Sequence, residues 1–228
     1  MAEPIQFAGG ASDAELAAAL QRVPMFPLPG VVLLPHALLP LHIFEERYRV
    51  MMRDVLTGTR FLAIGLLMPD ARAEDDLPSV QPIAGVGEVV MAHELPDGRF
   101  NLVVRGRARI RIDRELPSGR PYRLVTATEL PDFPITDASE LVDADQTLRA
   151  LIGQLADAIP EGGELLRQVV AAQDTPAELV DGVASALIVD PALRQKLLET
   201  RDVGERLERV AAEVVAMTAR IGAPGTAN

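Results

Sequence analysis

The 228-residue chain has no cysteine, a single lysine and only three histidines. Each scarcity closes a field of chemistry. Without cysteine there are no disulfides, thiolate zinc sites, iron–sulfur clusters or thiol nucleophiles, and a reducing, cytoplasmic setting is expected. The one lysine, Lys196, stands in RQKLLE. It has no glycine-rich turn before it and no Ser or Thr after it, so a nucleotide-hydrolysing phosphate loop is excluded. A serine–lysine pair would need Ser185, which falls in a helical region without a loop of N–H groups to hold an oxyanion.

The histidines are no more productive. HELPD, from His93, begins like a zinc-protease helix but ends in Asp97, and Pro96 denies it the helix that would align two ligands. HIFEE, from His42, ends in Glu46 where a second histidine would be needed. GVGEVV, from Gly85, lacks the third glycine of a dinucleotide fingerprint. No catalytic residue, metal site or cofactor is expected.

An uninterrupted hydrophobic run is missing too. The most apolar stretch, PMFPLPGVVLLPHALLPLHIFEERY at residues 24–48, carries five prolines and two histidines, which break every window of the roughly 18 to 20 residues a membrane helix needs. No membrane partner is expected. The first residues carry Glu3, Asp13 and Glu15 with no basic region, unlike a secretory signal. A flexible N-terminus over residues 1–21 is expected.

What the chain does have is acid and a core. Its 33 acidic against 22 basic residues give a formal charge of −11, which disfavours bulk attraction to nucleic acid or anionic surfaces. Hydrophobic residues make up 48%, enough for one large domain or two small ones.

From Val23 to about Leu130 the pattern is that of short strands separated by turns such as PDARAEDDLPS, PDG and PSG. One helix interrupts it: Tyr48, Met51, Met52 and Val55 recur at helical spacing, with Glu45 and Glu46 in the first turn and Gly58 closing it. Asp97-Gly98 predicts a two-residue hairpin turn that sets Pro96 opposite Arg99, Glu88 opposite Arg107 and Val90 opposite Arg105. Strand alternation then lines up Arg105, Arg107, Arg109 and Arg111 on one face, about 6.8 Å apart, with Val104, Gly106, Ala108, Ile110 and Ile112 on the other. Such a row suits phosphate or an acidic ligand. A solvated outer face, partly neutralised by Glu88 and Glu94, accounts for the same pattern.

Within the apolar opening stretch, Met25, Phe26, Leu28, Val32, Leu34, Leu38, Leu41 and Phe44 read mainly as core. Proline-interrupted strands also leave unpaired edges for an extended polypeptide. The peptide-binding candidates are Met25, Phe26, Leu28, Val32, Leu34 and Phe44. After Pro131 and Pro134 the composition turns helical: Asp137, Thr175, Asp190 and Asp202 each begin an N-cap signature. Leu207, Val210, Val214 and Met217 form an apolar stripe on the last helix.

Taken in order, PMFPLPGVVLLPHALLPLHIFEERYRVMMRD, GVGEVV, LPDGRFNLVVRGRARIRI, Pro121-Tyr122 and VDPALRQKLLETRDVGERLERV resemble the N-terminal substrate-recognition domain of the Lon protease family. The resemblance spans about residues 22 to 220. It implies an α+β fold: a PUA-like β pseudo-barrel with one packed helix at 22–131, a helical bundle at 132–222 and a tail at 223–228. It further implies a non-enzymatic module, free-standing and without the family's ATPase and peptidase domains. Its expected partner is unfolded polypeptide or another protein, as an adaptor or regulator linked to proteolysis, and the module is expected to be a monomer or weak homodimer. RNA binding through the arginine row is the alternative.

Overall fold

The computed structural model describes residues 4–7, 10–69, 79–159 and 161–222. Nearly all of the PDARAEDDLPS turn and the expected tail at 223–228 lie outside the described residues. The fold is mixed α+β, and the chain divides into two compact units, Met1–Pro131 and Asp132–Asn228.

The first unit holds strands β1 (Ile5–Gln6), β2 (Val23–Leu28), β3 (Leu38–Ile43), β4 (Phe61–Leu66), β5 (Ile83–Glu94), β6 (Phe100–Leu116) and β7 (Arg123–Glu129), with helices α1 (Asp13–Ala19) and α2 (Glu46–Thr57). The sheet order is β1-β5-β4-β2-β7-β6-β3, and β5 also pairs with β6. Strands β5, β4, β2, β7 and β6 therefore close into a ring, with β1 and β3 attached outside it. Only the β2–β4 pair is parallel among the described strands. The 17-residue β6 pairs with β5 along one edge and shares its other edge between β3 and β7.

Helix α2 forms where its spacing predicts, between an N-cap at Glu45 and a C-cap at Gly58. Tyr48, Met51, Met52 and Val55 are buried, each such side chain contributing roughly 1.5–3 kcal/mol when fully buried. The Tyr48 ring packs 4.4 Å from that of Phe26 on β2.

Three expectations are corrected. The N-terminus is not a flexible arm over its described residues: Ser12 and Glu15 form a reciprocal capping box. That box starts α1, and Leu16, Ala19 and Leu20 enter the same core as Val23, Met25, Ala108 and Ile110. Second, the β5–β6 loop has three residues. Leu95 N–H donates to the Arg99 carbonyl, Gly98 N–H donates to that of Leu95, and Gly98 takes a φ of 79°. This is the longer hairpin loop with glycine in the left-handed region. The register slips by one residue at the loop and by a second where Val90 is extra in β5, so Glu88 lies opposite Arg105, not Arg107.

Third, the arginines do not form one row. Val86 pairs with Ala108 and Gly87 with Gly106, so Arg107 is an extra, bulged residue on β6. A bulge of this kind reverses the alternation. Before it, Arg105 shares the face of Glu88; after it, Ala108 and Ile110 occupy that face, in the core that contains α1. Arg109 instead lies opposite Gly85, which faces the Leu33 carbonyl on the other side of the sheet. Arg109 and Arg111 are thus separated from Arg105 and Arg107.

The second unit holds five helices among the described residues, α3 (Ala138–Ala158), α4 (Gly163–Ala171), α5 (Pro176–Leu187), α6 (Pro191–Glu199) and α7 (Val203–Gly222). The cap signatures are realised. Asp137 accepts from Ser139 and Glu140 N–H, Thr175 and Glu178 form a capping box, Asp190 accepts from Ala192 N–H, and Asp202 accepts from Glu205 N–H. Leu207, Val210 and Val214 of α7 are buried, and α7 packs on α3 and α5.

Candidate functional site

A second bulge shapes the face that carries Arg105. Val89 pairs with Val104 and Met91 with Val103, leaving Val90 as an extra residue in β5. Val90 and Met91 are both only half-buried, whereas their neighbours Val89 and Ala92 are buried. The bulge therefore puts two adjacent apolar side chains on the outer face opposite Val103. Farther along the ring, α1 covers this same face; toward β3 nothing described covers it.

The uncovered part is a cleft of about 470 Å³ lined by Phe7, Leu38, Val90, Met91, Val103 and Arg105, together with Gln6 and Gly10. Leu38 of β3 lies opposite Arg105 and is 57% exposed. Phe7 is held in place by its N–H, which donates to the Val90 carbonyl at 3.1 Å. The Arg60 guanidinium also lies 4.8 Å from its ring centre, a cation–π contact.

Behind the cleft, Glu88 is 1% exposed. Its carboxylate accepts from Arg60 at 2.8 Å, from Arg107 at 3.2 Å and from Ala11 N–H at 3.0 Å. Arg107 is also 3.6 Å from Asp13. These contacts neutralise Arg107 and Arg60. Arg111 pairs with Asp113 at 3.1 Å, and Arg109 is buried, at 4% exposed. Arg105 is exposed, and no hydrogen bond or ion pair joins its side chain to another described residue.

The six peptide candidates are divided by the fold. Met25, Phe26, Val32 and Leu34 are buried, so they belong to the core and cannot line a groove. Leu28 is half-buried. Phe44 is 62% exposed, stacked beside His42 at 6.3 Å. The residues that line the cleft were largely missed, because they come from three strands and the N-terminal segment. A signal for Val103 was nonetheless present: it shares Arg105's alternation.

A smaller cleft of about 320 Å³ lies in the helical unit between Phe133, Ile135, Leu141 and Val203, rimmed by carboxylates. Those acids have local duties. Asp137 and Asp202 cap α3 and α7, and Glu205 pairs with Arg209. Hydrogen bonds from Ser139 and Glu140 hold the Asp137 carboxyl below its ordinary range. Among the described residues no helix is long and apolar enough to cross a membrane, and no cluster of His, Asp and Glu could hold a metal ion.

Comparisons with known proteins agree with this architecture. The N-terminal domain of a Mycobacterium avium complex Lon protease superposes with a TM-score of 0.63 at 21% identity, covering 87% of this chain and 98% of that one. A Lon N-terminal domain protein from Xanthomonas campestris gives 0.57 at 23% identity, covering 84% and 97%. Lon protease of Azorhizobium caulinodans is 28% identical over 83% of the chain, and that of Dictyoglomus thermophilum 30% identical over 82%. The chain spans only 22% and 23% of the length of these two relatives. The model of the ATP-dependent protease La (Lon) substrate-binding domain matches residues 22–215, and the chain belongs to that family.

Proposed function

We propose that this protein is a non-enzymatic recognition module that takes exposed apolar segments of polypeptides into the cleft beside β3. The observation that carries this reading is the uncovered apolar floor of Leu38, Val90, Met91 and Val103, in a chain of a substrate-binding family. An apolar side chain left at 57% exposure gains when a partner covers it. Strand β3 adds a free edge, since among the described strands it pairs only with β6, and an extended segment can lie along such an edge. We read the closed strand circuit as a PUA-like pseudo-barrel and the five helices as a bundle, and we place the module as an adaptor or regulator linked to proteolysis in a reducing compartment.

The test is fluorescence anisotropy with a labelled, permanently unfolded polypeptide at low and high salt. Apolar binding should persist in salt, whereas phosphate-driven RNA binding should fall steeply. Leu38→Asp should weaken polypeptide binding about tenfold, by setting a charge in an apolar contact, with no change in thermal midpoint. Phe26→Asp should unfold the first unit, because Phe26 is core. Binding that is indifferent to Leu38→Asp would refute the placement.

A further inference from the structure

The groove is not electrically neutral, and its one unsatisfied charge is informative. In a chain of net charge −11, carboxylates are plentiful, and Arg60, Arg107 and Arg111 have each found one. Arg105 has none among the described residues, although it lies opposite Glu88 across the strand pair. Both Glu88 oxygens are already taken by Arg60, Arg107 and the Ala11 N–H. Glu88 thus has both oxygens engaged by other donors, and Arg105 is left facing the cleft between Leu38 and Val103.

A guanidinium offers five donors in a planar fork that matches a carboxylate. Here it is framed on one side by Leu38, opposite it on β3, and on the same strand by Val103, two residues away. An extended segment presents every second side chain to one face, about 6.8 Å apart, which is the spacing of Val103 and Arg105 along β6. We propose that the preferred occupant is an extended polypeptide with an acidic side chain, Asp or Glu, among apolar ones. Its carboxylate pairs with Arg105 while its apolar neighbours cover Leu38, Met91 and Val103. This rests on the reading of the cleft as a polypeptide site and adds the chemistry that selects among polypeptides.

The experiment uses the full chain and two labelled peptides, acetylated and amidated at their ends, identical except that a central Glu flanked by Leu and Val is replaced by Gln in the second. The Glu peptide should bind about fivefold more tightly, as a partly covered guanidinium–carboxylate pair allows. Arg105→Gln should reduce it to the affinity of the Gln peptide and leave the latter unchanged. Arg105→Glu should invert the preference in favour of a Lys peptide.

Equal binding of both peptides that is abolished by Leu38→Asp but indifferent to Arg105→Gln would overturn the acidic preference and keep the polypeptide site. Absence of any Leu38-sensitive binding, to peptides or to unfolded polypeptide, would remove the site itself. Tight binding of the Gln peptide only when its C-terminus is a free carboxylate would move the selected group to the chain end and overturn the proposal. So would salt-sensitive RNA binding lost in Arg105→Gln, or a dimer in sedimentation that Arg105→Gln dissolves.

Discussion

Each unit holds a buried charge cluster, around Glu88 in one and Arg206 in the other, and the two clusters are built differently. In the β unit a carboxylate is the hidden partner: Glu88 sits at 1% exposure, while the side chains of Arg60 and Arg107 that reach it remain 24% and 21% exposed. In the helical unit a guanidinium is hidden. Arg206 is 0% exposed and donates to both oxygens of Asp132, at 2.8 and 2.9 Å, and to the Thr200 carbonyl at 3.0 Å. Its Nε lies 3.2 Å from Asp181, itself 1% exposed. Burial opposes the Arg206 charge, but the Asp132 hydrogen bonds and the charges of Asp181, Asp132 and Asp202 outweigh it and raise its pKa.

The difference lies in what each cluster leaves wet. The Glu88 cluster keeps its cations near water, so the site can lose a partner and be rehydrated. The Arg206–Asp181 pair lies wholly out of water, so removing Arg206 takes a counterion from a carboxylate that water cannot reach.

The sharpest way to break this comparison is Arg206→Met, which leaves Asp181 buried without its counterion. A loss of about 3–5 kcal/mol is expected in urea unfolding. The double variant Arg206→Met with Asp181→Leu should recover much of it, since an apolar pair replaces the buried charges. No recovery would mean that Asp132 and Thr200 carry the cluster.

Glu88→Gln comes next, at about 1–3 kcal/mol. Its signature should be local, with amide-exchange protection lost around Ala11 to Leu20 and retained across β5 and β6. Global loss of protection would make Glu88 as central as Arg206. The smallest effect tests an intermediate case. Asp54 accepts from the Tyr122 hydroxyl at 2.6 Å and from Arg120 at 2.7 Å, its own side chain 34% exposed. Tyr122→Phe should cost about 1 kcal/mol.

Burial and the Asp54 bond push the Tyr122 hydroxyl from 10.0 up to about 12. Because the folded value exceeds the unfolded one, this stabilisation is complete below about pH 10 and fades as pH rises toward 12. Wild-type stability should therefore fall in that alkaline window, and Tyr122→Phe should remove that component of the slope.

The local signals were legible where one short segment decides the outcome. The spacing of Tyr48, Met51, Met52 and Val55 gave α2, and side-chain caps such as Thr175 with Glu178 gave the helix starts. The same signature stands at Ser12 and Glu15, in a segment whose place in the core is set by strands far along the chain. What could not be read was pairing between distant segments. A three-residue loop in place of two slipped the β5–β6 register, and the bulge at Arg107 divided the arginines between two faces. Nothing in alternation alone announces an extra residue. The cleft inherits that difficulty, because its floor depends on the other bulge, at Val90, and its wall on Leu38 and Phe7.

One consequence concerns tolerance to change. On one side of the sheet, a Cβ at Gly85 would collide with the Leu33 carbonyl, and one at Gly106 with that of Leu34. At these two positions the amino-acid alphabet shrinks to a single letter. Arg105, adjacent to Gly106 in sequence, projects from the opposite side, exposed at the cleft, and can take many letters. The strand thus keeps its fixed and its editable positions back to back, so residue 105 can change while the ring of strands stays closed.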